Sequence, residues 1–238
     1  MTPPVSLAVD VVVLTLPASV AELDAWDASE DRAARPAPLF LAGRRDHPPF
    51  AGAWSLPGGL VAGAEGLEAA ARRVLAEAAS RSDAIRLAAP RHLEQLATFG
   101  APTRDPRGRV VSVSYLALLP VPAQVAGNAA WLPADDPPEL AFDHRTILSS
   151  ALNRLRAKLS YSTVAYGLLP DHFTLSELQA VYEAVRGRSL DKRNFRRKVL
   201  ALGFLEDTGD QRRGSHRPAQ LYRFSQAGLV LLDDVITT

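Results

Sequence analysis

The chain contains no cysteine, which excludes disulfides, zinc–thiolate sites and cysteine nucleophiles outright. Lysine is scarce as well. Lys158, Lys192 and Lys198 are the only three, so arginine is the default cation. Long uncharged apolar runs are missing too. Met1 to Leu16 is apolar, but it carries Asp10 and no basic segment precedes it. It therefore fits neither a signal peptide nor a membrane span, which needs roughly 20 apolar residues. With no targeting segment, a cytoplasmic location and no membrane partner are the expectation. The 238 residues fit one large domain or two small ones. At 47% hydrophobic and 22% charged residues, the chain is not a mainly disordered one.

The formal net charge of +1 hides an asymmetry. Residues 1–150 hold 13 Arg/Lys and 17 Asp/Glu, a balance of −4, whereas residues 151–238 hold 14 and 9, a balance of +5. An acidic half joined to a basic half points to two jobs, with an anionic partner for the second. Chance differences between short segments are the competing explanation.

The first half reads as α/β. Val5 to Leu16 is β-branched and predicts a buried strand, and Pro38 to Arg44 predicts a second. Ala21 to Pro38 reads as a loop or short helix. Pro48 to Gly59 is punctuated by prolines and glycines and predicts turns. Leu67 to Ala79 has helical spacing. Leu93 to Phe99 and Val110 to Leu119 predict strands joined by a turn at residues 104–109. Gly127 to Pro138 reads as a loop.

The second half changes character. Asp143 to Leu159 predicts an amphipathic linking helix, with Ile147, Leu148, Ala151, Leu152, Leu155 and Leu159 on one side. Thr174-Leu175-Ser176-Glu177 is a capping box that opens a helix ending near Gly187. Ser189 or Asp191 caps a further helix that stops at Gly203. Two short strands then flank a polar, glycine-containing loop. Helix, helix, basic helix, hairpin is the order of a winged helix-turn-helix.

On the basic helix, Lys192, Arg193, Arg196, Arg197 and Lys198 surround an inner face of Phe195, Val199 and Leu202. Residues 192 and 196, and 193 and 197, are four apart and neighbour each other on the helix surface. Arginine pairs bidentately with guanine O6 and N7, and Asn194 is suited to adenine. In the loop, Arg212, Arg213, Ser215, His216 and Arg217 suit phosphates or the minor groove. The competing explanation is a solvated basic face; agreement of charge with helix order favours DNA.

Leu56-Pro57-Gly58-Gly59, followed by Glu65, Arg73 and Glu77, resembles the Nudix box. Gly59, Glu65, Arg73, Leu75 and Glu77 fall at the required spacings. Val74 and Ala78 stand where that box has carboxylates, and Ser80 where it has glycine. Nudix hydrolases hold divalent cations with carboxylates three to four residues apart on one helix face, beside a diphosphate. Valine and alanine cannot ligate a metal. No catalytic residue, metal or required cofactor is therefore expected, and the chain is not expected to be an enzyme. Glu65, Arg73 and Glu77 fit a structural ion-pair set.

A degenerate Nudix domain followed by a winged helix resembles the Nudix-related transcriptional regulators of the NrtR type, over roughly residues 5–225. The runs Leu96 to Arg109, Ala141-Phe142-Asp143-His144, Leu190 to Lys198 and Arg217-Pro218-Ala219 carry the same resemblance. It implies an α/β Nudix-like domain with a mixed sheet and helices at 1–145, and an α+β winged helix-turn-helix at 146–238. It further implies a homodimeric repressor of NAD biosynthesis or salvage genes that binds palindromic double-stranded DNA. Its implied effector is ADP-ribose, which releases the DNA.

For that ligand, the residues offer Arg44, Arg45, Arg104 and Arg109 to a diphosphate. Trp54 or Phe99 can stack on adenine, although core packing is the competing role for Trp54. Gly58, Gly59 and Glu77 complete the candidate ligand set. His47, His92 and His172 read as surface or loop residues, and His144 as a connector between domains. Two other readings stay open: an active ADP-ribose-type Nudix hydrolase with a DNA-binding tail, and a repressor of this architecture answering a sugar ligand.

Overall fold

The computed structural model of the chain describes residues 4–17, 37–80, 89–120, 122, 125, 127–213, 218–232 and 236. The reading of Ala21 to Pro38 falls mostly outside them. The first unit is a mixed sheet of seven strands: β1 (Ser6–Thr15), β2 (Leu39–Arg44), β3 (Trp54–Ser55), β4 (Gly58–Leu60), β5 (His92–Phe99), β6 (Val110–Leu118) and β7 (Ala129–Pro133). The path β3-β2-β1-β6-β5 forms its centre, with β4 added to β1 and β7 to β2. Helix α1 (Leu67–Ser80) covers one face. Helix α2 (His144–Tyr161) covers the other.

Strand β1 explains why both helices are needed. It runs parallel to β6 from Ser6 opposite Val110 to Leu14 opposite Leu118. Successive side chains point to opposite faces, so Val9, Val11 and Val13 meet Ala70, Ala71, Val74 and Leu75 of α1. Val12, Leu14 and Leu16 meet Ile147, Ala151 and Leu155 of α2. A strand buried on both faces reads as an unbroken apolar run. Asp10 interrupts that run and is itself buried.

Two segments differ from their sequence patterns. Residues 129–133 form a strand rather than part of a loop. They contain Pro133 and no β-branched residue, and they pair with β2 alone among the described residues, as suits an edge position. The turn-rich stretch from Pro48 to Gly59 also contributes two short strands, because their backbones complete β1 and β2.

The second unit follows α2 through a 3-10 turn (Val164–Leu168), α3 (Leu175–Arg186), α4 (Lys192–Ala201), β8 (Leu205–Arg212) and β9 (Ala219–Phe224). Helix α3 opens on the expected capping box: Thr174 accepts from the Glu177 backbone N–H, and the Glu177 carboxylate accepts from that of Thr174. It closes at Gly187, whose left-handed φ of 68° costs glycine nothing. Asp191 caps α4 by accepting from Asn194 N–H.

The two units share one core. The cluster containing Val12, Leu14, Phe40 and Leu116 continues through α2 into Phe173, Val181, Tyr182 and Phe195. Polar contacts reinforce the seam. Lys158 Nζ meets Glu94 Oε2 at 2.5 Å, and Arg91 donates to the Leu169 carbonyl at 3.0 Å. His92 is buried here rather than at the surface, 2.9 Å from the Tyr166 hydroxyl. At Gly167 an added Cβ would lie 2.8 Å from Leu118, so the seam has no space to spare. Rotating one unit against the other would have to break this packing.

Candidate functional site

Pairing of β4 with β1 places Gly58 opposite Asp10 and Gly59 opposite Val9. Beside this pairing opens a cavity of about 300 Å³. Arg44, Arg45, Gly58, Gly59 and Arg104 of the expected ligand set border it; Trp54, Glu77, Phe99 and Arg109 do not. Ala78 also borders it. His47, from the turn-rich stretch, stands exposed at its rim.

The cavity floor is a charged network. Arg104 donates to both carboxylate oxygens of Asp143, at 2.9 and 2.7 Å, and to Asp10 Oδ2 at 3.1 Å. Ser112 donates to the same Asp10 oxygen at 2.6 Å. His144 Nδ1 accepts from the Leu56 backbone N–H at 2.9 Å, which places the ring proton on Nε2, 3.4 Å from Asp10 Oδ1. Burial raises the Asp10 pKa, but His144, Ser112 and Arg104 outweigh it and hold the carboxyl below its ordinary value. For Arg104, burial disfavours the charge, and hydrogen bonds and charge from Asp143 and Asp10 more than restore it. Asp143 precedes α2 at the N-cap position, yet makes no side-chain cap, because Arg104 holds its carboxylate. His144 thus connects α2 to the Gly58 turn and to β1.

The glycines of the turn are not equivalent. A Cβ on Gly58 would sit 2.2 Å from Asp10 Oδ1 and 3.0 Å from the Val9 carbonyl. A Cβ on Gly59 would meet nothing closer than Val74 Cγ2 at 3.6 Å. Because Asp10 is pinned, Gly58→Ala is expected to cost about 1–3 kcal/mol, whereas Gly59→Ala stays within about 0.5 kcal/mol. Urea unfolding midpoints check this, and equal midpoints would refute it.

Arg73 gathers the remains of the box. It donates to both oxygens of Glu65 at 2.8 Å, to Glu77 at 2.9 Å and to the Leu60 carbonyl at 3.0 Å. Glu65 also accepts from Ala62 N–H at 3.2 Å. The three residues act as an ion-pair set that anchors the loop after β4. Val74 is buried against the sheet. Among the described residues no three His, Asp or Glu side chains gather as metal ligands do. Trp54 packs on the core with the Arg44 guanidinium 4.5 Å above its ring. Phe99 also packs on the core, and Arg109 ties the hairpin by donating to the Gly100 carbonyl at 2.6 Å.

The basic helix presents a second surface. Phe195 and Val199 anchor α4, with Phe195 set 5.2 Å from the Tyr182 ring. Lys192, Arg193, Asn194 and Arg197 are exposed, and Arg197 donates to Asn194 Oδ1 at 3.0 Å. Lys198 is half-buried. Arg196 instead reaches back to Ser176 Oγ at 2.8 Å, fixing α4 to α3. Arg212 pairs with buried Glu177, fixing the β8–β9 hairpin to the same helix. Arg213 is exposed at the hairpin tip. Ser215, His216 and Arg217 lie outside the described residues.

Sequence reasoning missed Asp10, Phe142 and Arg107, which border the cavity, and Asp143, which holds Arg104. Asp10 had a signal, since a lone carboxylate in a buried strand needs a partner. Asp143 and Phe142 had none, because the arginines they meet are distant in sequence. Arg107 lies two residues from its partner Asp105, but its place over Phe142 comes only from packing.

A mixed sheet between two helices, with a cavity at a glycine turn, is fused on one core to a unit of a 3-10 turn, two α-helices and two strands. The family model described as the NUDIX domain matches residues 29–151, and that described as the NrtR DNA-binding winged helix domain matches residues 165–224. The protein is therefore of the class that joins a Nudix domain to a winged helix. The ADPR responsive transcriptional repressor NtrR of Acinetobacter baylyi is 37% identical over 191 residues, 76% of this chain and 74% of its own. Shewanella oneidensis NrtR is 33% identical, with a TM-score of 0.75 over 97% of this chain and 99% of that one. The same protein complexed with a 27mer DNA gives 34% identity and a TM-score of 0.72, over 92% and 93%. The chain belongs to the NrtR family of Nudix-related regulators. Among the described residues no helix is long and apolar enough to cross a membrane.

Proposed function

We propose that this protein is a transcriptional repressor of NAD biosynthesis or salvage genes, released from its operator by ADP-ribose bound in the Nudix cavity. The observation that carries the reading is the union, on one continuous core, of that cavity and an exposed basic helix. On this reading residues 1–145 take the effector and residues 146–238 take DNA. The exposed side chains of α4 enter the major groove, and Arg213 with the hairpin tip meets phosphate. Two copies of the chain meet a palindromic site, in the cytoplasm. Likeness to a relative crystallised with DNA supports the winged-helix assignment, and the relative named for ADPR responsiveness supports the effector.

We also propose that the Nudix unit binds without hydrolysing. Buried Val74, small Ala78 and a Glu77 held by Arg73 support this, since cation-assisted attack on a diphosphate needs carboxylates at such positions. The hydrolase reading requires magnesium-dependent release of AMP from ADP-ribose.

Fluorescence anisotropy of labelled DNA from upstream of NAD genes, titrated with protein and then with ADP-ribose at fixed salt, tests the whole reading. Specific binding reversed by ADP-ribose is the expected result. Specific binding indifferent to ADP-ribose but reversed by a sugar would overturn the effector, and no specific binding would overturn the regulator.

A further inference from the structure

Two residues other than glycine have positive φ among the described residues: Phe50 at 63° and Phe142 at 55°. Bulky side chains rarely adopt this conformation, and such outliers cluster at ligand clamps and switch regions. Here they meet each other, ring edge to ring face, with centroids 4.9 Å apart. Phe142 borders the cavity and immediately precedes Asp143 and α2. Its ring carries two guanidiniums, Arg45 at 4.8 Å and Arg107 at 5.7 Å, and both arginines border the cavity.

These two cations differ from Arg104, which two carboxylates neutralise. Among the described residues the Arg45 side chain bonds only to carbonyls, those of Pro49 at 2.7 Å and His47 at 3.5 Å. Arg107 pairs with Asp105 through Nε and Nη2, at 3.0 and 2.7 Å. Among the described residues, Nη1 of each has no hydrogen-bond partner. One buried carboxylate, Asp105, therefore faces two guanidiniums. Burial and then the charge of Arg107 pull Arg45 below the ordinary guanidinium value, a penalty that a bound anion would relieve.

We propose that Arg45 and Arg107, stacked on Phe142, form a clamp for the diphosphate group of a nucleotide ester. The proposal rests on the effector reading above, and moves the anion contacts from Arg104 and Arg109 to Arg107. Planar guanidiniums suit phosphate oxygens because they donate two N–H groups at once. The aromatic seat fixes both forks in place, so less side-chain freedom is lost on binding. With guanidiniums on the Phe142 ring, the anion rather than the nucleobase is the group recognised here. Because Phe142 abuts the N-terminus of α2, occupation of the clamp bears directly on the linking helix.

The test is calorimetric titration of the full-length chain with ADP-ribose, inorganic diphosphate and adenosine. Arg45→Ala and Arg107→Ala are each expected to weaken ADP-ribose and inorganic diphosphate roughly tenfold or more and to leave adenosine unchanged. Arg107→Ala strands buried Asp105, so Arg45→Ala, which strands no carboxylate, is the decisive variant if the first unfolds. Phe142→Leu keeps bulk but loses the ring, and is expected to weaken the same two ligands. Wild-type affinity for both phosphorylated probes in Arg45→Ala would overturn the clamp while leaving the effector reading intact. An equal loss of adenosine would overturn it as well, by showing general damage to the cavity. Wild-type binding of inorganic diphosphate without ADP-ribose would overturn the effector and keep the clamp. Binding of neither would overturn both.

Discussion

Replacing Arg193 and Arg197 together by alanine is expected to weaken operator binding at least about thirtyfold, because each good arginine contact contributes roughly 1–3 kcal/mol. Both side chains are exposed on α4, opposite the buried pair Phe195 and Val199. Their removal strands no buried partner, so the unfolding midpoint should stay close to wild type. The slope of log affinity against log salt should shrink by up to about 2 where both contact phosphate. ADP-ribose affinity should be unchanged, because neither residue borders the cavity. Anisotropy at several salt concentrations checks this. A double variant with wild-type affinity and slope would remove α4 from the interface. Arg196→Ala is the informative contrast. Its guanidinium holds Ser176, so its loss should act on the seating of α4 and show in stability as well as in DNA binding.

Arg104→Ala is expected to lower stability by about 3–5 kcal/mol, the usual cost of removing one partner from a buried charge network. The side chain is 4% exposed and holds Asp10 and Asp143, at 9% and 19%. Without it, two carboxylates face each other across the cavity floor, and the fixed start of α2 is released. Lysine should not rescue the loss, because a single ammonium cannot reproduce a fork that spans both oxygens of Asp143 and reaches Asp10. Urea unfolding of the three forms measures the effect. If Arg104→Ala were as stable as wild type and lost only ligand affinity, its place would be among the ligand contacts rather than in the floor.

The two halves of the molecule were unequally legible. In the winged helix, signals lie within four residues of each other: Thr174 with Glu177, Asp191 with Asn194, Gly187 after Arg186. Backbone capping is local, so a sequence states it directly. The Nudix strands were legible through β-branched runs such as Val11-Val12-Val13. Residues 129–133 were not, because a strand of Ala, Trp, Leu and Pro is formed by the backbone of β2 rather than by its own propensity. His92 misled for a related reason: its surroundings come from Tyr166, 74 residues away.

The site divides in the same way. By itself, the sequence determined that valine and alanine stand where a hydrolase needs carboxylates, and that the basic residues crowd one helix with an apolar inner face. Both follow from residue type and helical period. Only the tertiary structure decided which arginines are engaged. Arg104 meets Asp10 across 94 positions and Asp143 across 39; Arg212 meets Glu177 across 35; Arg45 and Arg107 converge on Phe142 from separate loops. In a chain whose cations are nearly all arginine, residue type cannot separate an ion-pair partner from a ligand contact. That separation depends on which carboxylates burial brings within hydrogen-bonding distance, and long-range packing sets this.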